Sequence, residues 1–262
     1  MFIDIYSPVV YSFIFVLGLL LGSYLNSWMW RIHEKKYCFG GRSMCVHCER
    51  KLSWFENIPL FSFLFLKGKC RTCGKPIPKS YFLVELATGV IFTLVVGHSV
   101  DFNLSAIQSF RDLFFSALLI VVFVYDAKYQ LILPSVILLG STVGLFINIK
   151  YLVYDPYNLV FGALICGGFF LFQFLVSKGK WIGGGDIMLG AMMGFWLGWQ
   201  AGLAALFISY IFGAVFSLAL IALKKKEMSS AIPFGTFLSI GTFVVLLWGN
   251  EIISWYLRLV RY

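Results

Sequence analysis

Long apolar runs are the feature that most constrains this chain of 262 residues. A run of about 20 apolar residues is long enough to cross the hydrocarbon core of a membrane as an α-helix. The composition agrees, because 60% of the residues are hydrophobic, 13% are charged and the mean hydropathy is +0.87. The runs occupy residues 8–30, 81–98, 110–126, 131–149, 158–177, 187–200, 201–223 and 232–250. They predict an all-α polytopic membrane protein with about eight transmembrane helices.

The stretch 187–223 leaves the number of spans open between eight and seven. It predicts either one long broken helix or two short helices that meet near Gly198–Gly202. Lys and Arg are enriched on the cytoplasmic side of membrane proteins. Eight spans put the three consecutive lysines at 224–226 in the cytoplasm, whereas seven spans put them outside. We therefore expect eight spans.

The basic residues also predict the orientation of the chain. No Lys or Arg precedes Arg31, and no cleavage site of a secretory signal peptide is visible, so we expect the first run to remain as a helix whose N-terminus lies outside. The segment from Arg31 to Lys79 contains eleven Lys and Arg residues and three acids, so it carries +8 of the net charge of +9. In a membrane protein such a cluster favours a cytoplasmic loop facing anionic lipid, rather than a surface that binds nucleic acid.

These patterns predict four parts of the chain. Residues 1–30 form the first transmembrane helix, and residues 31–80 form a small polar cytoplasmic domain. Residues 81–250 form the membrane-embedded core, and residues 251–262 form an interfacial tail in which Trp255, Tyr256, Arg258 and Arg261 occur.

Four cysteines in the polar loop have the spacing of a zinc site. They form two C-x-x-C pairs separated by twenty-one residues, and the four are Cys45, Cys48, Cys70 and Cys73. Two such pairs complete a tetrahedral Cys₄ shell. Disulfides are the competing use, but they are rare in the cytoplasm, where the loop is expected. We predict structural zinc, which would supply much of the folding free energy of a loop with so little apolar sequence.

Two aspartates stand at the predicted cytoplasmic ends of apolar runs. Asp126 ends the third run, and Asp186 follows the glycines Gly183, Gly184 and Gly185. An ionisable group at a membrane boundary indicates a functional site, although Asp is also an ordinary helix-capping residue. Two close carboxylates share a proton, so one can activate a water as a base while the other protonates a carbonyl oxygen. Glycines without Cβ atoms would let an extended substrate approach Asp186 closely.

The motifs, in this order, resemble those of the type IV leader peptidase family of membrane aspartic proteases. The resemblance covers nearly the whole chain and rests on the segments Gly18–Asn26, Glu56–Ser62, Pro76–Pro78, Tyr81–Thr88, Asp126 to Pro134, Gly183–Asp186 and Ile232–Gly235, together with both cysteine pairs. The chain departs from the family pattern at Val46, Ser135 and Met188. None of these departures removes a proposed catalytic or metal-binding group, but Met188 stands where a lysine usually follows the second catalytic aspartate.

The resemblance implies a specific activity. Such enzymes remove the short basic leader of type IV prepilins or pseudopilins at the cytoplasmic face of the bacterial inner membrane, for pilus assembly or type II secretion. Asp126 and Asp186 then correspond to the catalytic pair. Members with the cysteine-bearing loop often also methylate the new N-terminus with S-adenosylmethionine, and that activity rests here on the resemblance alone.

Three other readings of the residues stay open. A proton-coupled transporter would use the paired acids but leave the cysteine loop and the glycine run unexplained. A membrane-anchored zinc adaptor would leave the two aspartates without a role. The third is a peptidase without methyltransferase activity.

Overall fold

The computed structural model describes residues 8–36, 42–151, 153–223 and 232–260. Within these ranges the fold is helical, with no named strand and two isolated β-bridges. The helices are α1 (Pro8–His33), α2 (Phe61–Phe65), α3 (Lys79–Asp101), α4 (Ala106–Tyr129), α5 (Pro134–Lys150), α6 (Pro156–Ser177), α7 (Gly184–Ala222) and α8 (Phe234–Val260), with a 3₁₀ turn at Trp54–Asn57. The all-α class is confirmed.

Six of these helices are long and apolar enough to cross a membrane, namely α1, α3, α4, α6, α7 and α8. Helix α5 is apolar but shorter, at 17 residues. Helices α1, α3 and α4 extend a few residues beyond their predicted apolar runs, whereas α5 and α8 begin two or three residues after theirs, at or just after a proline. The chain is thus a multi-pass membrane protein.

Helix α7 folds back on itself at Gly198. The sequence predicted either one long broken helix or two short helices that meet near this residue. Gly198 has φ +75° and ψ −178°, which is not helical. Gly190 and Gly202 lie on either side of Gly198, and both approach Cys166 of α6. A Cβ added at Gly190 would lie 2.8 Å from the Cys166 carbonyl oxygen, and one added at Gly202 would lie 2.6 Å from the Cys166 Sγ. In a straight helix these two glycines would be about 18 Å apart. Residues 184–197 and 199–222 are therefore two antiparallel segments, as the eight-span prediction requires.

The described residues fall into two units, one up to Ser109 and one from Phe110 onward. In the first unit, α1 packs closely against α3 through small residues. A Cβ added at Gly18 would lie 2.8 Å from Gly89 Cα, and one added at Gly22 would lie 2.9 Å from Glu85 Cα. Such close backbone approach is typical of helices that associate in membranes.

In the second unit, the hairpin of α7 packs against α5, α6 and α8. Trp196, near the turn of the hairpin, is fully buried, donates from Nε1 to the Gly140 carbonyl at 2.9 Å and stacks on Phe115 with ring centroids 4.3 Å apart. This packing fixes the first segment of α7, and with it the helix start that carries Asp186.

Two predictions reach residues outside the described ranges. The lysines at 224–226 lie outside them, so the sidedness argument based on these lysines stays a prediction. Of the predicted tail, Arg261 and Tyr262 lie outside, while residues 251–260 continue α8 beyond a bend at Trp248. The interfacial location of this segment stays a prediction.

Candidate active site and cysteine cluster

Asp126 lies buried in the last turn of α4 and is bound to the start of α8. Its Oδ2 accepts hydrogen bonds from the backbone N–H of Thr236 at 2.8 Å and from the Thr236 hydroxyl at 3.0 Å. Thr236 is the third residue of α8, so its N–H is one of those left free at a helix start. The positive end of the α8 dipole therefore faces the carboxylate.

Asp186 is buried in the first turn of α7. Its Oδ2 accepts from the Gly183 N–H at 3.1 Å, and its own N–H donates to the Gly183 carbonyl at 3.1 Å. Gly183 is the N-cap residue of α7, and Asp186 closes the helix start three residues later. The capping contact considered from the sequence is therefore real, although Asp186 is not itself the N-cap.

The fold brings the two carboxyl groups within electrostatic range of each other. Ile132, in the segment between α4 and α5, contacts both helix starts. A Cβ added at Gly185 would lie 2.9 Å from Ile132 Cβ, and one added at Gly235 would lie 3.0 Å from both Ile132 Cδ1 and Asp126 Oδ2. The starts of α7 and α8 and the end of α4 thus meet at one place.

The three glycines before Asp186 have different surroundings. A Cβ at Gly185 would clash with Ile132, so glycine is required there by packing. A Cβ at Gly184 would meet no atom within 4 Å, and one at Gly183 would lie 3.6 Å from Asp186 Oδ2. Packing in the protein alone therefore does not explain the glycine at 184.

Sequence reasoning missed several residues of this site. Thr236 follows a motif that carried the family resemblance, but nothing in the sequence indicated that it binds Asp126. Tyr210, in the second segment of α7, is within electrostatic range of Asp186. Its hydroxyl accepts from Gln173 Nε2 at 2.9 Å and donates to Gln173 Oε1 at 3.0 Å, and its ring packs on Phe234. No local signal identifies a tyrosine inside an apolar run as a neighbour of a distant acid.

The four predicted cysteine ligands converge in the first unit. Their Sγ atoms all lie within 4.8 Å of one another. The two pairs form equivalent knuckles, since the N–H of Cys45 donates to the Arg50 carbonyl and that of Cys70 donates to the Lys75 carbonyl. Four residues after the first cysteine of each pair, Glu49 and Gly74 have positive φ values of 55° and 67°. The same backbone turn is thus used twice.

The cluster has dimensions that fit a tetrahedral metal site. Cys45 Sγ and Cys73 Sγ are 3.9 Å apart, and tetrahedral coordination with Zn–S bonds of about 2.3 Å separates two sulfurs by about 3.8 Å. The N–H groups of Cys73 and Thr72 donate to Cys70 and lower the pKa of its thiol to about 6. His47, between the two cysteines of the first pair, is not one of these four ligands, and its Nε2 lies 3.3 Å from the Pro76 carbonyl oxygen.

An ion pair stabilises the loop between the two knuckles. The guanidinium of Arg50 donates to both carboxylate oxygens of Glu56, at 2.6 and 3.1 Å, and the N–H of Ser53 donates to the same carboxylate at 2.8 Å. The hydrogen bonds from Arg50 hold the pKa of Glu56 below its usual value. Glu56 is therefore a paired, structural carboxylate.

The chain matches two family models and many related sequences. Residues 16–99 match the bacterial peptidase A24 N-terminal domain, and residues 113–218 match the type IV leader peptidase family. Proteins named prepilin leader peptidase/N-methyltransferase are 33% identical in Stutzerimonas stutzeri (94% of this chain, 93% of the relative) and 33% identical in Bacillus subtilis strain 168 (95% and 98%). The Legionella pneumophila protein of that name is 34% identical, over 82% of this chain and 75% of its own length. No solved structure matches the chain. The chain is a member of the type IV leader peptidase family.

Proposed function

We propose that this protein is a membrane aspartic endopeptidase that removes the short basic leader of type IV prepilins or pseudopilins and then methylates the new N-terminus. The names of its relatives support both activities, and they support neither the transporter nor the zinc adaptor. The observation that carries the peptidase activity is the pair of buried carboxylates, Asp126 and Asp186, within electrostatic range of each other.

The chemistry follows from the pair. Two buried carboxyl groups that interact electrostatically hold one proton between them more readily than two negative charges. The ionised member takes a proton from a water, which attacks the scissile carbonyl carbon, while the protonated member donates to the carbonyl oxygen. The C–N bond of the adduct then breaks as the first member gives its proton to the leaving nitrogen, and the second member takes a proton back from a hydroxyl as the carbonyl re-forms. Thr236 orients Asp126 through two hydrogen bonds, and Gly183 orients Asp186.

The glycine run serves the substrate. With Gly185 packed on Ile132, the open space beside Gly184 is where an extended peptide backbone would lie. We include Gly183, Gly184 and Gly185 together as the substrate-approach loop.

The cysteine cluster holds a structural zinc ion. Its four ligands are Cys45, Cys48, Cys70 and Cys73, which are the soft donors that zinc prefers and have matching sulfur separations. Bound there, zinc would cross-link the two knuckles and stabilise the fold of the loop. The methyl donor is S-adenosylmethionine, which supplies an electrophilic methyl group on a sulfonium sulfur.

The location follows from the same family and from the charge distribution. We place the protein in the bacterial inner membrane with its N-terminus outside and the region 31–80 in the cytoplasm. The excess of Lys and Arg in that region supports this orientation. The peptidase core is then residues 81–250, with an interfacial tail at 251–262.

The proposal is tested by replacing each aspartate with asparagine in the full-length protein in membranes. Asp126→Asn and Asp186→Asn should each reduce cleavage of a purified prepilin at least about a thousandfold, because an amide cannot transfer the proton. The matched control is Asp155→Asn, an exposed residue at the N-cap of α6 where asparagine is equally suitable. Near-normal cleavage by either active-site variant, with all three proteins inserted in membranes, would exclude the aspartate pair.

A further inference from the structure

A cavity of about 100 Å³ lies in the first unit, and neither aspartate belongs to its wall. Its wall includes residues of α1, the first cysteine knuckle, the segment around Glu56, the segment before α3 and the first turns of α3. Several motifs that carried the family resemblance meet at this cavity, and their wall residues include Asn26, Asn57, Tyr81 and Glu85.

Asn26 presents an unpaired hydrogen-bond acceptor at this cavity. The residue is only 3% exposed, and its Nδ2 donates to the Tyr81 carbonyl at 3.0 Å. This bond fixes the orientation of the amide, and Oδ1 has no hydrogen-bond partner among the described residues. A buried acceptor without a donor costs about 1–3 kcal/mol. Such a group indicates that a ligand supplies the missing donor.

Glu85 adds a carboxyl group to the same wall. It is 9% exposed, and its Oε2 accepts from the Leu60 N–H at 2.9 Å. The other acid of the wall, Glu56, is neutralised by Arg50, whereas no salt bridge to Glu85 occurs among the described residues. A buried carboxylate is costly unless a cation accompanies it. Arg71 and Lys75 also belong to the wall, but among the described residues neither forms a salt bridge with Glu85. The cavity therefore combines a carboxyl group without a salt bridge and a free acceptor, and an ammonium group would supply hydrogen-bond donors to both.

We propose that this cavity binds a primary ammonium group, with Asn26 Oδ1 and the Glu85 carboxylate accepting its N–H bonds. The inference rests on the proposed methyl transfer, in which two partners carry such a group. One is the amino-acid end of S-adenosylmethionine, and the other is the new N-terminus of the cleaved pilin. The cavity has room for several waters or for the amine end of a ligand.

The test uses the full-length protein in lipid nanodiscs and the variant Glu85→Gln, which keeps an oxygen for the Leu60 N–H but removes the charge. The control is Ser99→Ala, because Ser99 is buried in the same helix and its hydroxyl donates to the Val95 carbonyl of that helix. Two quantities are measured: the Kd of S-adenosylhomocysteine, and the KM of a pilin peptide supplied already cleaved. Prepilin cleavage and zinc content, which should not change, report on folding.

The two arms identify the source of the ammonium. If it is the amino-acid end of the cofactor, Glu85→Gln raises the Kd of S-adenosylhomocysteine at least about tenfold, as expected for a lost charge-assisted hydrogen bond. If it is the pilin N-terminus, the KM of the peptide rises by that factor instead. Asn26→Ala should change the same quantity as Glu85→Gln.

An unchanged Kd and KM in Glu85→Gln, with the unmutated protein methylating normally, would overturn the ammonium site while leaving the proposed function intact. Absence of methylation by the unmutated protein would instead contradict the methyltransferase half of the proposed function. As a test without any variant, 5′-methylthioadenosine, which lacks the amino-acid end, should bind at least about tenfold more weakly than S-adenosylhomocysteine if the cofactor supplies the ammonium.

Discussion

At the scale of single residues, the hydroxyl of Thr236 distinguishes the environment of Asp126 from that of Asp186. Thr236→Val removes this hydroxyl but keeps the shape of the side chain and the backbone N–H that also binds Asp126. We expect cleavage to fall about tenfold or more, since a hydrogen bond to a charged group contributes about 1.5–3 kcal/mol. Thr242→Val is the control, because Thr242 is buried in the same helix and its hydroxyl donates to the Leu238 carbonyl of that helix. Equal activity of the two variants in a prepilin cleavage assay would show that the hydroxyl has no such role.

Gly184 and Gly185 offer a second test at this scale. Gly184→Ala adds a methyl group in open space, so the thermal stability should not change, whereas the KM for prepilin should rise if the peptide backbone lies there. Gly185→Ala pushes a methyl group into Ile132 and should lower the melting temperature. Thermal unfolding in detergent and steady-state cleavage separate these effects. An unchanged KM for Gly184→Ala would remove Gly184 from the substrate-approach loop.

Residue types that carry their own chemistry were the ones that the sequence identified. The convergence of Cys45, Cys48, Cys70 and Cys73 was predicted because paired thiols at this spacing have few uses. Asp126 and Asp186 were predicted to share a site because both stand at cytoplasmic ends of apolar runs, where a carboxylate is costly. Thr236, Tyr210 and Ile132 were not predicted, since each has an ordinary residue type and gains its role from tertiary contacts with segments far along the chain.

At the scale of elements, the hairpin of α7 depends on one glycine. The conformation of Gly198 is accessible essentially to glycine alone, and an added Cβ would lie 2.5 Å from Asn158 Oδ1, which accepts from the Trp199 N–H. Gly198→Ala should therefore cost about 1–3 kcal/mol and lower the melting temperature by several degrees. Gly168→Ala is the control, because a Cβ there meets nothing within 4 Å and alanine favours the helix. A Gly198→Ala protein as stable as the control would contradict this account of the turn.

The same hairpin shows where hydropathy stops being informative. Apolar runs predicted the helices because burial in lipid requires a helical backbone whatever the side chains do. The run at 187–223 is continuous in hydropathy, however, so its fold-back depended on which of several glycines adopts positive φ. Asn158 on α6 stabilises the turn at Gly198 by accepting a hydrogen bond from the Trp199 N–H, and local sequence cannot reveal this contact.

At the scale of the whole molecule, the cysteine cluster and the ammonium site lie in the first unit, and the aspartate pair lies in the second. The proposed methyl transfer and the proposed cleavage therefore use residues of different units. The double variant Cys45→Ser/Cys48→Ser should lose the metal, because a hydroxyl that stays protonated replaces each thiolate. Cys166→Ser is the control, since Cys166 is buried in the second unit and should leave the zinc content unchanged.

The consequence for activity separates the two chemistries. Loss of the metal should loosen the two knuckles that form part of the wall of the ammonium cavity, so methyl transfer should fall more than cleavage. The Asp126→Asn and Asp186→Asn proteins should show the reverse, methylating a pilin that is supplied already cleaved while failing to cut the precursor. Mass spectrometry of the pilin N-terminus measures both steps in one sample, because a leader and a methyl group differ greatly in mass. Equal loss of both steps in the Cys45→Ser/Cys48→Ser protein would mean that cleavage, too, requires the folded cysteine loop.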